Sequence, residues 1–89
     1  MKLVTFDIDS KTDISSIEKI IKSQEEWAHL SQTTWLVGGN LKYDELRDLL
    51  SPFGIKHLVV IPFDYYHWAS KGCSEDITEF LNKHLSVNN

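Results

Sequence analysis

The chain of 89 residues contains one cysteine, one arginine, one methionine and two prolines. A single cysteine, Cys73, excludes an intrachain disulfide framework and fits a reducing, cytoplasmic compartment. No apolar run approaches the ~20 residues of a membrane-spanning helix. Met1-Lys2 leads into a short mixed strand rather than a long apolar segment, so no signal peptide is expected. No stretch is of low complexity, and only Val87-Asn88-Asn89 are expected to be disordered. The length predicts a single domain over residues 1–89. A chain of this size buries roughly two-thirds of its surface, so dimerisation would add to its stability.

Basic charge is also scarce. Nine Lys and Arg face 13 Asp and Glu, for a net charge of −4. Nucleic-acid binders usually show a basic patch or stripe. Here the lysines are scattered and Arg47 stands alone. Tight, sequence-independent binding to a phosphate backbone is not expected of the monomer, although a dimer would concentrate a few lysines locally.

What the chain does contain is alternation and helical periodicity. In residues 2–8, Val4, Phe6 and Ile8 fall on one side of a strand and Leu3, Thr5 and Asp7 on the other. A polar loop over 9–13 precedes a helix in which Ile14, Ile17, Ile21 and Ala28 recur at helical spacing. Its start is marked either by Asp13 as N-cap or by a Ser15/Glu18 capping box. The period then changes. Trp27-Ala28-His29-Leu30 and Thr33-Thr34-Trp35-Leu36-Val37 predict a hairpin turning at Ser31-Gln32 and ended by Gly38-Gly39-Asn40. A second helix carries Tyr43, Leu46, Leu49, Leu50 and Phe53 on one stripe, stopped by Ser51-Pro52 and Gly54. Residues 56–63 form an apolar, β-branched run too short for a helix, which predicts a buried strand. Residues 64–68 predict a bend or a short extra edge strand. A last helix over 75–86 starts at Ser74 as N-cap and places Ile77, Phe80, Leu81 and Leu85 on one stripe.

The order strand-helix-strand-strand-helix-strand predicts an α+β, ferredoxin-like split β-α-β domain with an appended C-terminal helix. Right-handed crossovers place the first and last strands together, for an antiparallel sheet order 4-1-3-2 with the first two helices on one face. Both central strands are apolar on both sides: Leu3 against Val4 and Phe6, Leu36 against Trp35 and Val37. A half-solvated sheet would alternate cleanly. The second face is therefore expected to be covered by the C-terminal helix, a second copy of the chain, or both.

The same topology gathers Asp7, Asp9, Gln32, Thr33, Lys56 and His57 at one end of the sheet. Hard divalent cations take carboxylate oxygens, and magnesium often takes one or two from protein. Asp7, held at the end of a central strand, is the candidate metal ligand and catalytic residue. The competing explanation is ordinary: Asp in a strand-to-helix loop does turn and capping work. His29, His57, His67 and His84 lie at no zinc-ligand spacing. His84 suits a helix C-terminus. His67, among Tyr65, Tyr66 and Trp68, belongs to an aromatic segment suited to packing, an interface or base stacking. Cys73 reads by default as a small packing residue. There is no phosphate-cradling glycine loop and no nucleophile elbow.

The succession of segments resembles a known group. Phe6-Asp7-Ile8, Trp27-Ala28-His29-Leu30, Thr33-Thr34-Trp35-Leu36-Val37, Glu45-Leu46-Arg47-Asp48, the apolar fourth strand, Trp68-Ala69 and the Cys73-containing start of the last helix are similar in order and spacing to SinR-like proteins. These are relatives of the small CRISPR-associated partner of the spacer integrase. VapD toxins are a more distant comparison. The resemblance spans nearly the whole chain and implies a ferredoxin-like homodimer joined through open sheet faces. In relatives that act as nucleases, the aspartate in the place of Asp7 comes from both subunits and the pair holds one metal ion. The basic residues that follow it in many such relatives are replaced here by Asp9-Ser10-Lys11-Thr12-Asp13.

Two functions from different classes are expected on these grounds. The first is a non-catalytic dimeric interaction or adaptor module of a prokaryotic defence or mobile-element type, with a protein partner. The second is a magnesium-dependent endoribonuclease with Asp7 paired across a homodimer. A small-molecule regulatory domain ranks last.

Overall fold

Strand β1 (Lys2–Asp7) is buried at every second residue: Lys2, Val4 and Phe6 point one way and are covered, while Leu3, Thr5 and Asp7 point the other. The computed structural model describes residues 1–63 and 69–85. The expected bend or strand at 64–68, with His67, and the tail beyond Leu85 lie outside the described residues. Helix α1 (Ile14–Lys22) follows β1. The competition for its N-cap goes to Asp13, whose carboxylate accepts from Ser16 N at 3.1 Å and Ser16 Oγ at 2.7 Å. The Ser15/Glu18 capping box is not used. Lys19 and Lys22 in the last turn suit the negative end of the helix dipole.

Strands β2 (Trp27–Ser31) and β3 (Thr34–Val37) form the hairpin, joined by Gln32-Thr33. The register steps by one residue between His29 and Ser31, a bulge that moves the turn one position later than alternation alone predicts. Helix α2 (Tyr43–Leu50) begins where Lys42 N donates to Glu45 Oε1 at 2.9 Å. It ends in a single 3-10 turn, Ser51–Phe53, and Gly54 closes that turn at φ 76°. A Cβ at Gly54 would lie 3.0 Å from the Lys11 carbonyl oxygen. Strand β4 (His57–Pro62) forms as a strand but is not buried as expected: it pairs with β1 at one end of the strand order, and every second residue from His57 to Ile61 is exposed. Helix α3 (Glu75–Leu85) is the last described element. Ser74 caps α3 through Ile77 N to its Oγ at 3.3 Å.

The sheet is antiparallel in the order β2-β3-β1-β4, which read from the other edge is β4-β1-β3-β2. One apolar cluster lies between its first face and the helices α1 and α2: Val4, Phe6, Trp35 and Val37 meet Ile17, Ile21, Leu46 and Leu50. A second cluster lies on the other face, where Leu81 and Leu85 of α3 meet Ala28 and Leu36. The expected cover over the second face is thus supplied in part by the chain's own last helix. Leu3 of β1 and Phe63 pack against this cluster, while Val59 and Ile61 of β4 stay about half exposed.

Two members of the expected α2 stripe are not in the core. Tyr43 is 51% exposed and Leu49 45%, whereas Leu46 and Leu50 are fully buried. With only eight residues, α2 offers the sheet one narrow stripe, and Tyr43 and Leu49 fall on its flanks. Leu46→Ala is expected to cost about 2–5 kcal/mol of unfolding free energy in urea titrations, and Leu49→Ala less than about 0.5 kcal/mol. Gly54→Ala is expected to cost about 1–2 kcal/mol in the same measurement, because an L-residue is strained at that φ.

Candidate functional site

Asp7 ends β1 directly opposite His57, the first residue of β4. Lys56 N donates to the Asp7 carbonyl oxygen at 3.1 Å, and Phe6 N donates to the Thr33 carbonyl oxygen at 3.1 Å. Asp7, Thr33, Lys56 and His57 therefore meet at one end of the sheet, as the topology predicts. Asp7, His57 and Lys56 are exposed there. Thr5, Phe6, Asp7, His57 and Val59 line a shallow depression of about 170 Å³.

The three acidic residues of the first loop have different tasks. Asp13 caps α1, and its two hydrogen bonds from Ser16 hold its carboxyl below the usual 3.8. Asp9 builds the loop itself: its Oδ1 accepts from Lys11 N at 2.8 Å, and its backbone N–H donates to Thr12 Oγ1 at 3.0 Å. Thr12 Oγ1 donates onward to the Gly54 carbonyl oxygen at 2.8 Å, locking the loop to the end of α2. Asp7 is left over. Its carboxylate makes no hydrogen bond or ion pair to any described residue.

Among the described residues, no group of three His, Cys, Asp or Glu side chains is placed to bind a metal ion. Magnesium takes one or two protein carboxylates and keeps several waters. Asp7 thus stands as a single exposed carboxylate at this end of the sheet.

The remaining candidates have structural roles. His29 stacks flat on Trp35, with ring centroids 3.7 Å apart and planes 5° from parallel. His84 Nδ1 lies 3.3 Å from Glu26 Oε2, tying α3 to the start of β2. Arg47, the sole arginine, is engaged by its neighbour Asp48 at 3.0 Å. Cys73 is exposed, so it is not the packing residue expected from its type. It sits in the connection before α3, where no second layer covers it.

Sequence reasoning missed Lys2. It is only 6% exposed, and its Nζ donates to the Gly39 carbonyl oxygen at 3.4 Å. Burial lowers its pKa below 10.5, partly opposed by the nearby Glu26 carboxylate. The signal was available, because Lys2 shares the parity of Val4 and Phe6 on β1. Lys2 lines a cavity of about 690 Å³ with Met1, Leu41, Lys42, Tyr43, Pro62 and Phe63, at the opposite end of the sheet from Asp7.

The second face also carries an exposed apolar stripe on β4. Val59 and Ile61 of β4 are 48% and 47% exposed. They lie beside Thr5 and Leu3 of β1 in register. Among the described residues, no helix is long and apolar enough to cross a membrane, so this stripe is not part of a spanning helix.

No family model matches this chain. No curated protein and no solved structure matches it significantly either. The functional reading therefore rests on the geometry above.

The depressed Asp13 carboxyl sets a pH dependence with a definite sign. Its stabilising effect is complete above the unfolded-state value near 3.8 and is lost as pH falls through the lower folded value. Asp13→Ala is expected to be less stable than wild type at neutral pH, with the gap narrowing below about pH 4. Urea midpoints measured across pH 2–7 read this directly.

Proposed function

We propose that this chain is a non-catalytic, dimeric interaction module with a ferredoxin-like fold, working as an adaptor for a protein partner. The observation that carries this reading is the apolar stripe on β4, where Val59 and Ile61 are about half exposed. Contiguous apolar surface on a small water-facing sheet marks an interaction site. The negative net charge and the engagement of the only arginine with Asp48 favour a protein partner over a nucleic acid. The similarity to SinR-like proteins supports a setting in prokaryotic defence or mobile elements, in the cytoplasm.

A magnesium-dependent endoribonuclease is the second reading. The observation in its favour is the free Asp7 carboxylate beside His57. It requires two copies of Asp7 within about 5 Å, given magnesium–oxygen distances near 2 Å. Each subunit would contribute its Asp7 carboxylate, and the ion would supply an activated water.

Sedimentation and RNA-cleavage assays with magnesium separate the two. The adaptor reading predicts a dimer at micromolar concentration, no RNA cleavage, and a dimer unaffected by Asp7→Asn. Cleavage by the wild type that Asp7→Asn abolishes would overturn it, as would a wild type that stays monomeric at 100-fold higher concentration.

A further inference from the structure

Among the described residues, the face described above ends at a strand paired on one side. β4 pairs with β1 on one side only, and no described residue pairs with its other edge. Edge strands are normally protected by charge, proline, a bulge or a covering element. The other edge, β2, is only five residues long, carries the bulge at His29/Ser31 and has α3 packed against it. β4 has none of these over its middle: Leu58-Val59-Val60-Ile61 is uncharged, apolar and regular in register. The only proline, Pro62, is at its end.

Two backbone bonds fix which groups of β4 face outward. Phe63 N donates to Met1 O at 3.0 Å, and Phe6 N donates to Thr33 O at 3.1 Å. Antiparallel alternation then directs β1 residues 1, 3 and 5 toward β4 residues 63, 61 and 59. The N–H and C=O of Leu58 and Val60, and the C=O of Pro62, point away from β1. These outward groups form a donor–acceptor ladder that a second β4 can satisfy.

The two ends of the strand select one register. A pairing that places Val60 opposite its own copy sets Pro62 against Leu58, where a proline ring stands in place of the needed N–H. A pairing that places Leu58 opposite its copy needs an outward N–H at Lys56, but that group is turned inward onto Asp7 O. Between them lies a pairing centred on Val59, in which Leu58 bonds Val60 of the other copy and Val60 bonds Leu58. It makes four backbone hydrogen bonds, sets Val59 against Val59, and lays each Ile61 against the other copy's His57.

Resting on the dimeric reading above, we infer that a second copy of this chain docks antiparallel on the β4 edge in this register. The result is a continuous eight-stranded sheet, in which the exposed Val59 and Ile61 side chains of both copies join into one apolar surface opposite α1 and α2. This dimer has a consequence for Asp7. The two copies are three strand spacings apart and offset by four residues, about 20 Å in all from spacings near 4.8 Å and a rise near 3.3 Å per residue. They cannot share a magnesium ion, so the edge dimer and the paired-Asp7 nuclease are mutually exclusive.

Single cysteines introduced into a Cys73→Ser background test the arrangement, with sedimentation of each unoxidised variant alongside. Val59→Cys is expected to form an intermolecular disulfide under mild oxidation at least tenfold faster than Ile61→Cys or Asp7→Cys, since only position 59 meets itself. Val59→Lys is expected to weaken dimerisation at least tenfold, with the circular dichroism spectrum unchanged. A dimer in which Asp7→Cys links and Val59→Cys does not would overturn the edge arrangement in favour of face-to-face packing. A dimer in which none links faster than the others would overturn the register while leaving the dimeric reading standing. A wild type that remains monomeric would overturn both.

Discussion

A four-stranded sheet has two faces, and the described residues supply three α-helices to cover them. Helices α1 and α2 close the first face over Val4, Phe6, Trp35 and Val37. Helix α3 closes the second face over Ala28 and Leu36, with Leu3 packed alongside, but leaves Val59 and Ile61 of β4 about half exposed. A helix is about 10 Å wide, whereas four strands spaced near 4.8 Å span roughly 15 Å between the outer strand axes. One helix therefore cannot shield all four strands. The exposed stripe on β4, its unprotected edge and the reasons to expect a second copy all follow from this shortfall.

The docking of α3 is itself instructive. It rests on Leu81 and Leu85, buried to within 7% and 6% exposure, and on the His84–Glu26 pair. Glu26 is accommodated under Gly38, where a Cβ would come within 2.6 Å of Glu26 Oε2. Glu26 also faces the buried Lys2 ammonium electrostatically. The start of β2, the end of β3 and the first residue of β1 are thus linked to α3 through one carboxylate. The apolar contacts provide the driving force, and the charged group sets where along the sheet the helix sits.

The acidic loop after β1 shows how similar residues acquire different chemistry. Asp9 and Asp13 are consumed by backbone and hydroxyl donors within reach of their short side chains. Asp7 precedes the loop, still in strand geometry, so its side chain stands on the open face and finds no local donor. Position in the pleat, rather than residue type, separates a capping aspartate from one available to a ligand or partner. Cys73, Tyr43 and Leu49 make the same point for apolar and soft side chains: type suggests burial, yet nothing is close enough to cover them.

Alternation of apolar and polar residues was enough to read β1, the hairpin and the two-sided covering of Val4, Leu36 and Trp35, because a strand's period of two follows from backbone stereochemistry. The β-branched run of β4 marked a strand but not its exposure, because a run of apolar residues does not say whether the strand lies inside the sheet or at its edge. Helical spacing likewise marked Ile17, Ile21, Leu46, Leu50, Leu81 and Leu85, and chain connectivity brought Asp7 beside His57. Other features depend on separations that local pattern does not encode. Where the bulge shifts the hairpin and how far α3 reaches across the sheet were settled only when distant elements met. Sequence determines the faces each element presents; the folded chain decides which of those faces find a partner, because burial depends on how much surface its neighbours can span.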